Sequence, residues 1–186
     1  MQLDRKVILE TSGGEGLNRI GGNMPVCFLN RPETVCGLDF YACLRHPFAD
    51  GLVVSVFIPK EYADLSAGKI YPNCAVKAFV HEYSAESDDA EHRCKDLNRV
   101  CFADFVDDDN KEGVVQAGGV PQFIQDEDYY WADLQKDGYV FLMQIDEALY
   151  PDELVAGSYP FNFGALYLYA GRNDLKQVVV GFWQNS

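Results

Sequence analysis

No apolar run in this chain of 186 residues comes near the roughly 20 residues that a membrane-spanning helix needs, because a charge, proline or glycine interrupts each one. The stretch MQLDRKVILETSGGEG carries Asp4, Arg5, Lys6 and Glu10 around only three apolar residues, so it lacks the apolar middle of a secretory signal. A cytoplasmic protein with no membrane partner is the expectation. Basic residues are also scarce: 15 Lys and Arg stand against 29 Asp and Glu, a formal net charge of −14. A surface of that sign repels phosphate backbones, which excludes nucleic acid, and favours either plain solubility or steering toward a basic protein.

The short motifs of catalysis and metal binding are missing too. No G-x-S-x-G occurs, and the three histidines, His46, His81 and His92, sit in no diagnostic context. Cys43 and His46 are close enough in sequence to meet in a turn, but a small buried thiol and a surface imidazole are the expected identities. There is no C-x-x-C, and His81, His92, Cys94 and Cys101 match no paired-ligand spacing. The run Asp107-Asp108-Asp109-Asn110-Lys111-Glu112-Gly113 starts like a calcium loop and then fails, with Lys111 at the fifth position and Gly118 at the twelfth. The Gly13–Gly16 stretch has neither the Lys-Ser/Thr ending of a phosphate loop nor a dinucleotide spacing. The expectation is therefore no metal, no cofactor and no catalytic residue. Without a secretory signal, the six cysteines read as reduced thiols.

What is present is β-structure and a recurring turn. Gly21-Gly22-Asn23-Met24-Pro25 precedes the run Leu52–Ile58, and Gly118-Gly119-Val120-Pro121 precedes Tyr139–Asp146 and Ala165–Tyr169. Double glycine before proline marks a tight reversal, and its recurrence before strand-like runs predicts two related β units. Strands are expected over 26–29, 38–45, 51–58, 76–83, 139–145, 164–170 and 177–183, with Phe40, Cys43, Val54, Val56 and Ile58 inward and a hairpin around Gly171–Asp174. Residues 60–70 are expected to carry a helical turn or two. Ser84–Lys95, with Glu86, Asp88, Asp89 and Glu91, reads as a solvated connection between halves of about 1–83 and 99–186. The fold class expected is α+β, mostly antiparallel sheet with an internal pseudo-repeat, in one domain spanning 1–186.

The richest chemistry lies in Gln122–Trp131. Asp126, Glu127 and Asp128 immediately precede Tyr129, Tyr130 and Trp131, and such a group serves a carbohydrate or nucleobase site, a protein-binding rim with aromatic anchors, or an ordinary loop with rings tucked into the core. Gln122, Gln125, Gln144 and Asp146 either satisfy backbone groups or face a ligand.

Gly118-Gly119-Val120-Pro121-Gln122-Phe123-Ile124-Gln125, then Phe141-Leu142-Met143-Gln144-Ile145-Asp146, then Phe163–Tyr169 resemble in order the core motifs of the YwqG-like family, a bacterial domain of unknown function. Phe123 after the turn, and Phe163 where the family usually has aspartate, mark a divergent branch. The resemblance implies an antiparallel β fold with a pseudo-repeat and no established catalysis. It also implies a link to polymorphic toxin systems, in which small acidic proteins act as immunity proteins. Charge and resemblance together predict a protein-interaction module, such as an immunity protein that neutralises a basic toxin, rather than an enzyme. Its expected binding residues are Gln122, Gln125, Asp126, Asp128, Tyr130, Trp131, Gln144 and Asp146. The alternative is a small polar ligand, or an enzyme, using a cleft between the halves.

Overall fold

Alternation of apolar side chains with period two, the mark of strands buried on one face or both, builds two antiparallel sheets in the computed structural model, which describes residues 6–9, 17–60, 62, 68–107 and 112–185. The strands are β1 (Val7–Leu9), β2 (Asn18–Ile20), β3 (Leu38–Arg45), β4 (Leu52–Pro59), β5 (Lys77–Glu82), β6 (Val100–Phe102), β7 (Phe105–Asp107), β8 (Val115–Ala117), β9 (Tyr139–Asp146), β10 (Ala165–Gly171) and β11 (Asp174–Gln184). One sheet runs β5-β4-β3-β2-β6 and the other β11-β10-β9-β8-β1-β7. Of the expected α+β class the β part dominates. Among the described residues α-helix is confined to α1 (Ala132–Lys136), with a few single 3-10 turns. No helix among them is long and apolar enough to cross a membrane.

β1 pairs with β8 and β7, while β6 pairs with β2. Neither sheet is therefore a contiguous stretch of sequence.

Both faces of each sheet are buried. In β4, Val54, Val56 and Ile58 enter the core between the sheets, where they join Tyr41, Leu44, Leu142, Ile145, Leu166 and Leu168. The alternate residues Val53 and Phe57 point the other way and form a second cluster with Met24, Phe28, Val35, Phe40 and Cys43. Phe40 and Cys43, expected to face the same way as Val54, Val56 and Ile58, are buried in this outer cluster instead. The six-stranded sheet repeats the arrangement: Leu166, Leu168 and Ala170 face the central core, and Ala165, Tyr167 and Tyr169 face a third cluster with Tyr130, Leu134 and Phe182.

Each outer face is covered by the chain that follows a Gly-Gly turn. Gly21, Gly22, Gly118 and Gly119 all have positive φ, between 66° and 85°. At Gly21 a Cβ would also lie 2.1 Å from the Asn98 carbonyl oxygen, so glycine is required twice over. The backbone amide of Gly21 donates to Tyr41 O and that of Gly118 to Leu142 O, both at 2.8 Å, which pins each turn to the neighbouring long strand. Residues 26–29, expected as a strand, form a 3-10 turn over Val26–Phe28. The reason is packing: Phe28 plugs the outer face edge-on to Phe57, with ring centroids 4.9 Å apart, so the segment lies over the sheet rather than within it.

The acidic connection is less solvated than its composition suggests. Asp88 and Glu91 are exposed, but Ser87, His92 and Cys94 are buried. Glu86 accepts from the Asn23 amide at 2.7 Å and pairs with Arg99 at 2.6 Å and Arg19 at 3.7 Å. Of the turns expected over 60–70, Tyr62 lies in a 3-10 conformation, and residues 61 and 63–67 lie outside the described residues. The calcium-like turn at 108–111 and the Gly13–Gly16 stretch lie outside them as well.

Candidate functional site

Residues 118–136 form a strap across the outer face of the six-stranded sheet, and four polar side chains rising from that sheet fasten it. Gln144 Oε1 accepts from the Gln122 amide at 2.8 Å. The Tyr167 hydroxyl donates to Gln122 O at 2.7 Å and accepts from the Ile124 amide at 3.3 Å. Gln184, 1% exposed, accepts from the amides of Ile124 and Gln125 at 2.9 and 3.1 Å and returns Nε2–H to Gln125 O at 2.6 Å. At the turn itself, Gln116 Nε2 donates to Gly118 O and Val120 O. These bonds satisfy backbone groups that sheet pairing would otherwise serve, and each buried group left unpaired would cost about 1–3 kcal/mol.

The glutamine and aspartate residues singled out in the sequence thus divide. The Gln144 side chain supports the strap, and Asp146 accepts from the Ala148 amide at 2.9 Å, which caps the 3-10 turn at Glu147–Leu149. Gln125 Oε1 accepts from the Tyr130 hydroxyl at 2.5 Å, whereas the Gln122 side chain is exposed. Burial and the bond to Ala148 act oppositely on Asp146, and burial prevails, raising its pKa above the ordinary aspartate value.

The strap turns Tyr130 inward, half-buries Phe123 and Trp131, and exposes its charges. Tyr130 packs on Phe182 with centroids 4.9 Å apart, and Phe123 stacks on Trp131 at 4.6 Å with planes 5° apart. Asp126, Glu127 and Asp128 are all exposed, as are Val120 at 69%, Tyr129 at 59% and Ile124 at 42%. Three apolar side chains and three carboxylates are therefore exposed along one stretch of the strap, 120–129.

Beside the strap a cleft of ≈ 640 Å³ opens against the six-stranded sheet. Phe123, Trp131, Tyr139, Phe141 and Tyr169 line it, with Arg172 as its charged member. Of the eight residues expected to bind, Trp131 alone lines this cleft, and no carboxylate, imidazole or thiol does. A volume of this size with aromatic walls and interspersed polar groups, Gln135 and Arg172 among them, suits binding. A second cleft of ≈ 500 Å³ is lined by charges of both signs, including Asp39, Lys60, Arg93, Lys95 and Asp96.

Several contributors escaped the sequence reading. Gln184 and Tyr167 carry a signal, since each places a polar atom within an apolar, buried stretch of strand, 180–184 of β11 and 165–171 of β10. Glu147 is wholly buried, and its carboxylate accepts from the amides of Phe161 at 3.0 Å, Phe163 at 3.1 Å and Gly164 at 3.3 Å. It holds a loop in which Asn162 and Phe163 both have positive φ. Burial pushes its pKa up to about 7 against the pull of those amides.

One thiol meets an imidazole: Cys27 Sγ lies 3.6 Å from His81 Nδ1. All six cysteines are free. Cys43 is buried as expected, but His46 is buried too, only 5% exposed, instead of lying at the surface. Its Nδ1 accepts from the Phe48 amide at 3.2 Å and its Nε2 donates to Leu175 O at 2.8 Å, so both ring nitrogens are occupied away from Cys43. His81 lies 2.8 Å from Ser55 Oγ, and His92 bonds Leu38 O at 2.7 Å. Among the described residues no three His, Cys, Asp or Glu side chains converge to hold a metal ion. Comparison with protein-family profiles finds no match to this chain, and comparison with curated proteins finds none either.

Proposed function

We propose that this protein is an interaction module that meets a basic protein partner through the outer surface of the strap. The reading rests on one observation: Val120, Ile124 and Tyr129 are exposed along the same short strap as exposed Asp126, Glu127 and Asp128. Apolar anchors surrounded by charges are how interfaces combine contact area with steering. The strap backbone is fastened by Gln144, Tyr167 and Gln184, so little ordering entropy is lost when the partner binds. Further along, Asp133 and Asp137 are exposed with a single basic residue, Lys136, near them in sequence, so this stretch too is net negative.

The net charge of −14 and the resemblance to the YwqG-like family favour an immunity protein that neutralises a basic toxin in the cytoplasm. The aromatic cleft, lined by no carboxylate, imidazole or thiol, favours binding over catalysis. We read the two sheets as copies of one β unit within an α+β fold. That reading is supported by the paired Gly-Gly turns and by the shared order of a short strand followed by three longer antiparallel ones.

Affinity capture from the source cell tests the reading, comparing the wild type with a variant carrying Val120→Ser, Tyr129→Ser, Asp126→Asn and Asp128→Asn. A basic protein retained at low salt by the wild type and lost with the variant is the expected result. A capture profile identical for the two would overturn it.

A further inference from the structure

The aromatic cleft carries an inference beyond a protein partner. Arg172 sits at the hairpin between β10 and β11, held by its backbone amide, which donates to Gly138 O at 2.9 Å. Arg172 is among the residues lining the cleft, and its exposed side chain makes no ion pair or side-chain hydrogen bond among the described residues. This is unusual company for an arginine. Its neighbourhood holds Asp133, Asp137 and Asp174, all exposed, and the chain as a whole is strongly acidic. The nearby Asp137 is taken by the Tyr71 hydroxyl at 2.9 Å.

The walls are as selective as the charge. Trp131 lies flat on Phe123, and Phe141 meets Tyr169 edge-on with centroids 6.0 Å apart, and all four rings line the same cleft as Arg172. A flat ring gains offset-stacked or edge contacts with such walls. Five fixed donors on a planar cation match a carboxylate in two-point geometry. We infer that the cleft is a binding site for a small planar ring bearing a carboxylate, its ring among Trp131, Phe141 and Tyr169 and its carboxylate on Arg172. The net negative charge of the chain opposes approach of an anion only at long range, where it is screened beyond about 8 Å at physiological salt.

Two probes of the same ring, 2-naphthoate and neutral 2-naphthol, separate ring from charge when titrated into the whole chain and followed by amide shifts at Gln135 and Val140 and by quenching of Trp131 fluorescence. Wild-type protein is expected to bind naphthoate at least tenfold more tightly than naphthol. Arg172→Gln, a change at an exposed side chain, should bring naphthoate down to the naphthol value and leave naphthol unchanged, and Arg172→Lys should restore part of the difference. Naphthoate bound equally by wild type and Arg172→Gln would overturn the inference. So would shifts confined to residues away from the cleft, or no binding of naphthoate at all.

Discussion

Arg19 and Gln116 make the same pair of hydrogen bonds in the two sheets: each donates to the carbonyl two residues on and to the carbonyl four residues on. Arg19 reaches Gly21 O at 2.8 Å and Asn23 O at 2.5 Å, and Gln116 reaches Gly118 O at 3.3 Å and Val120 O at 2.8 Å. Two unlike side chains thus hold the same turn. Arg19 is 5% exposed, lies 4.4 Å over the Phe40 ring and pairs with Glu86, and burial lowers its pKa in spite of that partner.

Arg19→Ala should destabilise the fold by about 3 kcal/mol or more, because it leaves two carbonyls unserved and Glu86 with one cation fewer. Arg19→Gln should recover part of the loss, since a glutamine does the equivalent work at position 116. Urea denaturation checks the order. Equal losses for the two variants would show that the charge, not the pair of turn bonds, is what matters.

Gln184→Ala removes three bonds to the strap while leaving the sheet ladder intact. The expected cost is about 1–3 kcal/mol. Amide exchange at Ile124 and Gln125 should accelerate well beyond that of the β10 and β11 amides. Uniform acceleration throughout the chain would mean that the strap does not open on its own.

Glu147 makes stability depend on pH in a stated direction. Its folded pKa of about 7 lies above the ordinary value of 4.5, so the folded protein keeps a proton that the unfolded chain releases. That contribution is complete below pH 4.5 and is lost as pH rises through about 7. The denaturation midpoint of the wild type minus that of Glu147→Gln should therefore fall between about pH 5 and about pH 8, with groups such as His46 and His81 cancelling in the difference. A flat difference would show that Glu147 is ionised throughout this range.

Local pattern made the long strands legible. β3, β4, β5, β9, β10 and β11 fall where alternation and β-branched residues predict them, within a few residues at their ends. Alternation could not reveal that both faces of each sheet are covered, so Phe40 and Cys43 were assigned to the face of Val54. Phe28 looked like a strand residue because a buried phenylalanine beside a valine and a cysteine has the same composition in a strand and in a covering turn. The crossing of β1 and β6 into opposite sheets is non-local and has no composition signal. At the site, the sequence draws attention to the strap but cannot separate Gln144, which fastens it, and Asp146, which caps a 3-10 turn, from the exposed Asp126 and Asp128. Arg172 was invisible, being one arginine in an ordinary hairpin turn until the fold sets it against the aromatic cleft.

The central claim, recognition of a basic protein by the acidic and apolar surface of the strap, is tested most directly by association kinetics with the captured partner as salt rises from about 0.05 M to about 0.5 M, a range over which the screening length falls from above 10 Å to below 5 Å. The association rate of the wild type should fall steeply and that of Asp126→Asn/Asp128→Asn less so, while Tyr129→Ala should act mainly by raising the dissociation rate. An association rate independent of salt, or a double variant with the salt dependence of the wild type, would contradict the account.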